Sequence, residues 1–318
     1  MKQTVDFCGI AAAPGTAARG WVEVENTGYK LPVTVINGEK EGKTVLVTSA
    51  IHGCEYPSIE AAFRLAETTD PKDVSGQLVI INPVNVDAFI ERRPYIVVQD
   101  GKNLNRLFPP VKDGTLGDRI AWTLTEEFIK KADFHLDLHG GDIPEEQTSY
   151  VYYPGISEDK ETLRLCEEAA GYVLHATYRI KSSATNHAYS LSAALSVPSL
   201  LLELGENGNW SEEEVQLYME NIHNLLRYLN VLPGEAKKPE KPARQITKGT
   251  YIDADCSGRW YPAITRNDSL KKGQKIGEIK DLFGNVLKTY YADYDAEVLM
   301  VVTTLAIEEG EALFAYGC

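Results

Sequence analysis

The stretch Thr44-Val45-Leu46-Val47-Thr48-Ser49-Ala50-Ile51-His52-Gly53-Cys54-Glu55 (residues 44–55) decides the fold of this chain. Its first eight residues are mostly apolar or β-branched, which predicts a buried β-strand, and a helix-like stretch follows from Pro57. His52 and Glu55 therefore lie three residues apart at the carboxyl end of a strand. Imidazole and carboxylate groups suit zinc, and a catalytic zinc site needs only three protein ligands. The same two residues could instead form a salt bridge at the start of a helix.

Strand-like and helix-like segments alternate on both sides of this stretch. Such alternation predicts an α/β fold with a mostly parallel, mixed sheet flanked by helices. Ser211 and Glu214 have the spacing of a helix capping box at the start of the last helix. The predicted strands are 44–51, 77–82, 133–138 and 199–204, and the predicted helices are 57–66, 118–131 and 211–229.

The composition changes after Leu232, where a charged, proline-rich stretch predicts a linker. We predict a catalytic domain over 1–232, a linker over 233–243 and a small all-β domain over 244–318. The last domain carries a weak internal repeat, Leu270–Gly277 against Ile307–Phe314, which resembles the barrel-sandwich hybrid fold of biotinyl and lipoyl domains. It lacks a Met-Lys-Met carrier motif, so no carrier function is predicted, and its role is left open.

Composition excludes several classes of protein. The 318 residues are 43% hydrophobic and 25% charged, as is typical of globular proteins, and no apolar run is long enough to span a bilayer. The net charge of −14 opposes binding to nucleic acid or to anionic membranes. Five scattered cysteines without C-x-x-C spacing and an amino terminus without a signal sequence favour a reducing, cytoplasmic location.

Four predicted strands end in polar clusters, at 52–55, 82–85, 139–142 and 203–206. Ligands of open α/β sheets bind at the carboxyl ends of the strands, so these clusters are expected to meet. In the strand Phe134–His139, alternation places His135, Asp137 and His139 on one face, with His139 nearest the crevice. Asp137 would orient an imidazole or form a buried hydrogen bond, and His135 is predicted to be structural.

Further polar residues are candidates for binding or for structure. Arg106 lies in the irregular segment 100–109, where it could clamp a carboxylate or pair with an acidic loop. Arg92 and Arg93 offer a cation for an oxyanion, and which of the two faces the site is left open. Cys54 is interpreted as a space-filling residue, because no acid that would orient a nucleophilic thiol accompanies it. The three other histidines, His175, His187 and His223, are interpreted as structural, with a place in the pocket left open for His187.

The ordered motifs HGCE (52–55), DGKNLNRLFP (100–109), LDLHGGD (136–142) and LLELGE (201–206) resemble those of the succinylglutamate desuccinylase and aspartoacylase family, which is related to the zinc carboxypeptidases. The resemblance spans essentially the whole chain. It implies that His52, Glu55 and His139 bind one Zn2+ per chain and that Glu203 is the general base and acid. It also implies that Asn105 and Arg106 hold a substrate carboxylate. Arg93 is a looser match to the oxyanion-side arginine of the family, because the stretch from Arg93 to Asp100 is longer here.

The implied activity is zinc-dependent hydrolysis of an amide in a small N-acyl amino acid, in which a metal-activated water attacks and Glu203 moves the proton. A metallocarboxypeptidase acting on short peptides is the alternative enzyme, and a catalytically silent ligand-binding protein is the alternative of another class. The expected partner is a small amide that bears a carboxylate, with no nucleic acid or membrane. The acyl group, the amine and the oligomeric state, a homo-oligomer included, are left open.

Overall fold

The computed structural model describes residues 2–318, and nine of its strands form one mixed sheet. Strands and helices are numbered in chain order. The first two strands, β1 (Val5–Phe7) and β2 (Ile10–Ala12), form a short antiparallel hairpin outside the large sheet. The order across the large sheet is β12 (Arg244–Ile246), β10 (Tyr178–Ser182), β9 (Tyr150–Pro154), β11 (Ser199–Glu203), β7 (Phe134–His139), β5 (Lys40–Ser49), β6 (Ser75–Ile81), β4 (Lys30–Asn37) and β3 (Thr16–Glu23).

The centre of this sheet is parallel and its flanks carry the antiparallel pairings. Strands β11, β7, β5 and β6 run parallel, whereas β9 is antiparallel to β11 and β4 is antiparallel to β6. The predicted mixed α/β sheet is confirmed. Because the four central strands are parallel, their carboxyl ends meet along one edge, which is where the polar clusters were expected.

Helices cover both faces of the sheet, and strand alternation decides what each face buries. Val45 and Val47 of β5 pack into one core, whereas Leu46 packs into the core of the opposite face. The helices of residues 2–318 are α1 (Tyr56–Thr68), α2 (Val86–Glu91), α3 (Leu116–Glu127), α4 (Lys160–Ala170), α5 (Ala188–Ala194) and α6 (Glu212–Tyr228), and short 3-10 turns occupy Pro71–Asp73, Leu104–Arg106 and Ile129–Lys131. The first core is covered by α1, α4 and α6, and the second by α3 and α5.

The C-terminal β unit, residues 249–318, consists of antiparallel strands, as predicted for the tail. One of its sheets has the order β13 (Gly249–Asp253), β20 (Ala312–Gly317), β18 (Ala296–Val302) and β15 (Ser269–Leu270), and the other has β17 (Val286–Tyr291), β16 (Lys275–Lys280), β14 (Gly258–Pro262) and β19 (Ala306–Ile307). Both halves of the weak repeat are strand–turn–strand units. Gly273 and Gly310 hold equivalent left-handed positions in them, at φ of 81° and 86°, which a side chain would disfavour.

The C-terminal β unit and the large sheet are joined in three ways. The predicted linker 233–243 contains no helix or strand in the structure, and Lys237 is hydrogen-bonded to Asn224 of α6. Strand β12 adds to the edge of the large sheet, and Tyr150, Tyr178 and Ile180 of that sheet lie in the same hydrophobic core as Trp260. A short strand that lies between β7 and β9 in the sequence, β8 (Glu145–Gln147), pairs with β18.

Across residues 2–318, no helix is both long and apolar enough to cross a bilayer.

Candidate metal centre and active site

The turn after β5 places His52 and Glu55 at the carboxyl edge of the sheet. Ala50 adopts a left-handed conformation, with φ of 57°, and Glu55 is the N-cap residue of α1. Gly53 is required by close packing, because a Cβ atom there would lie 2.4 Å from the carbonyl carbon of Ala88 in α2. The turn therefore packs closely against α2, and this packing orients the side chains of His52 and Glu55.

The three predicted metal ligands converge. His52 Nδ1 lies 2.7 Å from Glu55 Oε1, and His139 Nδ1 lies 3.0 Å from Glu55 Oε2. One ligand atom from each of the three side chains lies within 4.8 Å of the others, and all three residues are buried. Apart from this ion-pair contact with His139, the buried Glu55 Oε2 has no hydrogen-bond partner among residues 2–318. Two imidazole nitrogens and a buried carboxylate fit a zinc ion.

The outward nitrogens of the two histidines are held by other side chains. His52 Nε2 lies 3.1 Å from Asn103 Oδ1, and His139 Nε2 lies 3.4 Å from Asp137 Oδ2. Because carboxylate and amide oxygens only accept, the protons belong on these Nε2 atoms. Nδ1 of each ring therefore faces the Glu55 carboxylate, the position from which it could bind a metal.

His135 lies behind the site in a buried hydrogen-bond chain. Thr48 Oγ1 donates to Asp137 Oδ1 at 2.6 Å, so His135 Nε2 must donate to Thr48, at 2.7 Å. His135 Nδ1 then accepts from Ser192 Oγ of α5 at 2.7 Å. Burial lowers the pKa of His135 to about 4, which keeps the imidazole neutral. Asp137 occupies the orienting position that alternation along β7 predicted, and His135 the structural one.

The buried charges of the cluster compensate one another. Burial alone would raise the pKa of Glu55, but the imidazoles of His139 and His52 hold that pKa below its ordinary value. For His139, burial is more than offset by the carboxylates of Glu55 and Asp137, which raise its pKa well above the ordinary value. A bound divalent cation would take over this compensating role and displace the proton from Nδ1.

Glu203 ends β11 directly beside His139, its register partner on β7. Burial raises the pKa of Glu203 well above its ordinary value, although the charge of His139 opposes this effect. Gln147 Nε2 donates to Glu203 Oε2 at 3.1 Å. The pKa values of Asp142 and Glu145 are also raised, mainly by burial, to about 6 and about 7. A carboxyl with a raised pKa next to a metal site is suited to proton transfer near neutral pH.

Asn105 and Arg106 lie in the 3-10 turn Leu104–Arg106, and Asn105 comes near His139. Asn105 is buried, and its Oδ1 accepts from the Ala188 amide at 3.0 Å while its Nδ2 lies 3.5 Å from His139 Nε2. The exposed Arg106 donates from Nη1 to its neighbour's carbonyl at 3.1 Å and to His187 Nε2 at 2.8 Å. Its guanidinium is thus accessible to a ligand.

Arg92 and Arg93 follow α2 at the surface. Arg92 caps the helix in a left-handed conformation, with φ of 56°, and both side chains are exposed. Arg93 Nε lies 3.9 Å from Glu91 Oε2. The structure therefore does not bring Arg93 into the cluster of His52, Glu55 and His139, and its assignment stays a prediction.

The polar cluster at 82–85 serves the scaffold. Asn82 Nδ2 donates to the Ile59 carbonyl of α1 at 3.0 Å, and Asn85 Nδ2 donates to the Ile96 carbonyl at 3.0 Å.

Cys54 is buried, and burial raises the pKa of its thiol to about 12, so it stays protonated. His175 Nε2 pairs with Glu220 at 2.7 Å on the surface.

Sequence patterns gave little signal for three residues around the site. The Tyr95 ring meets the His52 ring edge-on at 5.5 Å, and its amide donates to Asp142 Oδ2 at 3.1 Å. His187 is half-buried, and burial together with the charge of Arg106 lowers its pKa to about 3. Gln147 lies in a three-residue strand without apolar alternation. Asn105 and Arg106 contact Ala188 and His187 in the structure, but that contact joins segments far apart in the sequence. Nothing in the local sequence marks Tyr95 or Gln147 as residues of the site.

Similarity to known proteins extends over most of the chain. The model of the succinylglutamate desuccinylase/aspartoacylase catalytic domain matches residues 41–229. A curated relative, N-alpha-acetyl-L-2,4-diaminobutyric acid deacetylase of Halomonas elongata, is 26% identical over 258 residues, which cover 79% of this chain and 74% of that protein.

Solved structures share the fold over nearly the whole chain. The product-bound ectoine utilization protein EutE (DoeB) from Ruegeria pomeroyi has a TM-score of 0.82 at 24% identity, covering 95% of this chain and 94% of that one. The succinylglutamate desuccinylase/aspartoacylase from Rhodobacter sphaeroides has a TM-score of 0.79 at 23% identity, with the same coverage. The resemblance drawn from the four motifs is confirmed, and the chain belongs to the succinylglutamate desuccinylase/aspartoacylase family.

Proposed function

We propose that this protein is a zinc-dependent deacylase that hydrolyses the amide bond of a small N-acyl amino acid. One observation carries the proposal: the Nδ1 atoms of His52 and His139 converge on the Glu55 carboxylate, with Glu203 on the adjacent strand. Membership of a family of amide-cleaving enzymes supports the reaction class. The activity named for the relative from Halomonas elongata supports a small N-acyl amino acid as substrate.

In the proposed mechanism, zinc held by the three ligands would lower the pKa of a water molecule and polarise the amide carbonyl. Glu203 would accept a proton from the attacking water and then deliver it to the departing amine nitrogen. Its raised pKa suits both steps, because the group must exchange its proton near neutral pH. No covalent bond between enzyme and substrate is needed.

Asn105 and Arg106 would orient the substrate. A guanidinium can hold a carboxylate through two parallel hydrogen bonds, and the exposed Arg106 lies one residue from Asn105, which reaches His139. A carboxylate bound there would hold the substrate amide near His139. Arg93 is retained in the proposal as the cation for the developing oxyanion, which requires its side chain to leave Glu91. Arg92 is the competing candidate for this role.

The alternative of a carboxypeptidase requires room for a peptide. The C-terminal β unit borders the site, because its strand β18 pairs with β8 next to Glu203, and Tyr251 of β13 contacts the hydroxyl of Tyr152. A site bordered in this way favours a small amide over a longer chain.

The proposal is tested by metal analysis and by turnover of the full-length chain. We expect about one zinc per chain and hydrolysis of at least one N-acyl amino acid from a panel of acetyl, succinyl and longer acyl groups. Glu203→Gln should keep the zinc and lose at least about 10³-fold in kcat, as expected for loss of a general base. Glu213→Gln on the exposed start of α6 is the matched control.

Two results would overturn the proposal. Bound zinc without Glu203-dependent hydrolysis of any amide would favour the silent binding protein. Faster turnover of short peptides than of N-acyl amino acids, lost in Glu203→Gln, would identify a carboxypeptidase instead.

A further inference from the structure

The strand β8 (Glu145–Gln147) lies between β7 and β9 in the sequence, but its backbone is hydrogen-bonded to β18 of the C-terminal β unit. Gln147 is the register partner of Met300 and Glu145 that of Val302. Within residues 2–318, β18 is the strand with which β8 pairs. The Thr148 amide extends the ladder with a 2.9 Å bond to the Leu299 carbonyl. The β8 backbone is thus paired with β18 along its length, while the Glu145 carbonyl also accepts from the Asn207 amide at 2.6 Å and the Glu145 amide donates to the Asp142 carbonyl at 2.8 Å.

Further contacts from the C-terminal β unit hold both ends of this region. The Thr303 amide donates to the Pro144 carbonyl at 2.7 Å, and the Thr303 hydroxyl donates to Asn207 Oδ1 at 2.9 Å. Arg266 Nη2 lies 2.8 Å from Glu206 Oε1, and Arg266 Nε lies 3.7 Å from Glu146 Oε1. The loops that follow β7 and β11 are thus both attached to the C-terminal β unit.

Gln147 carries this positioning into the site. It is 4% exposed, and its Nε2 donates to Glu203 Oε2 at 3.1 Å, while Tyr150 donates through its hydroxyl to Gln147 Oε1 at 3.2 Å. The tyrosine hydroxyl fixes which end of the amide faces Glu203, because the oxygen of the amide is the acceptor. One oxygen of the Glu203 carboxylate is held by this bond, and the other is left to meet substrate and water.

We propose that the C-terminal β unit acts as a positioning element for Glu203, with Gln147 as the positioning residue. This inference rests on the proposed function, because it assigns Glu203 the proton transfer. Strand β18 positions β8, and β8 positions Gln147. Gln147 in turn orients the Glu203 carboxylate, which must reach both the attacking water and the leaving nitrogen. No residue of the C-terminal β unit needs to touch the substrate for this effect.

The test uses the zinc-loaded full-length chain and the amide substrate found above. Gln147→Met keeps the length of the side chain and removes its donor, so kcat should fall about 10- to 100-fold, the worth of one hydrogen bond to a charged group, with KM changed less than about twofold. Tyr150→Phe should give a smaller loss, because the amide keeps its nitrogen but loses its orientation. Gln77→Met, a matched change at the amino-terminal end of β6, should leave kcat unchanged.

Arg266→Ala tests the route through the C-terminal β unit. Alone it should lower kcat about two- to fivefold, and in the Gln147→Met background it should have no further effect, because both act through the same carboxylate. In the metal-free protein, amide hydrogen exchange at residues 145–148 should speed up in Arg266→Ala and not in Gln77→Met.

Each outcome bears on the inference separately from the proposed function. If Glu203→Gln abolishes hydrolysis but Gln147→Met matches the wild-type kcat, the positioning role is wrong and the deacylase assignment stands. Additive losses from Gln147→Met and Arg266→Ala would overturn the route through the C-terminal β unit. If Glu203→Gln itself is fully active, the proposed function fails first.

Discussion

At the scale of single residues, the site depends on which atom of each side chain faces inward. His52 and His139 both present Nδ1 to Glu55, because their Nε2 atoms are held by Asn103 and Asp137. Residue type and spacing predicted His52 and Glu55 as a ligand pair at the end of an apolar strand, and the resemblance to the family added His139 as the third ligand. The sequence could not predict Tyr95 or Gln147, because their positions depend on loop conformation and on a strand partner far along the chain.

Replacing Arg106 by lysine should weaken binding of the substrate carboxylate. Lysine keeps the charge but loses the planar pair of donors, so we expect KM to rise about 10- to 100-fold, corresponding to loss of a charge-assisted hydrogen bond, with kcat changed less. Steady-state kinetics measures this effect. Arg179→Lys, a matched change on β10, should leave KM in the wild-type range, and an unchanged KM in Arg106→Lys would exclude Arg106 as the carboxylate anchor.

The pH dependence of kcat/KM should report the ionisation of Glu203. The base is active when ionised, so kcat/KM should fall as the pH drops through its raised pKa. Burial is the main cause of that raised pKa, and the charges of Glu55 and, to a smaller extent, Glu145 add to it, so Glu145→Gln should move the acid limb slightly to lower pH. Glu220→Gln at the surface should not move it, and a limb that stays in place in Glu145→Gln would mean that another group titrates.

At the scale of elements, strong local signals placed the main helices and strands. The helix predicted from Ser211 begins at Glu212, and Ser211 caps it by accepting from the Glu214 amide at 3.2 Å. The strand predicted at 133–138 is found at Phe134–His139. Strand β9 is antiparallel to β11, and nothing in its sequence gives this direction, because strand partners are set by packing across the whole sheet.

Gly53→Ala should separate the metal turn from α2. The new Cβ atom would lie 2.4 Å from the Ala88 carbonyl carbon and 2.5 Å from the Phe89 nitrogen, so backbone must move. We expect a loss of about 1–3 kcal/mol in the free energy of unfolding, typical of overpacking, together with weaker zinc binding. Urea unfolding and a chelator competition measure the two effects. Gly249→Ala, whose Cβ would meet only Tyr251 at 3.5 Å, is the control, and equal stability of both variants would contradict the packing argument.

At the scale of the whole molecule, a metal bound between the large sheet and α1 should couple to folding. The ligands come from β7 and from the turn between β5 and α1, which meet only in the folded state. Free zinc at 100 times its dissociation constant should therefore stabilise the protein by about 2.7 kcal/mol.

Thermal unfolding with and without zinc checks this coupling. The melting temperature should rise with zinc in the wild type and in His175→Ala, and it should not rise in His139→Ala, which lacks a ligand. A zinc-dependent increase in His139→Ala equal to that of the wild type would place the metal elsewhere.

The pairing of β8 with β18 also has a consequence for biosynthesis. Met300 follows its register partner Gln147 by 153 residues, so during translation β8 is made long before the strand that holds it. The three proposed metal ligands can meet once β7 is complete, whereas the Gln147–Glu203 contact is expected to form only after β18 has been made. A nascent chain would then pass through a stage that can already take up metal while the carboxylate at position 203 still lacks its neighbour.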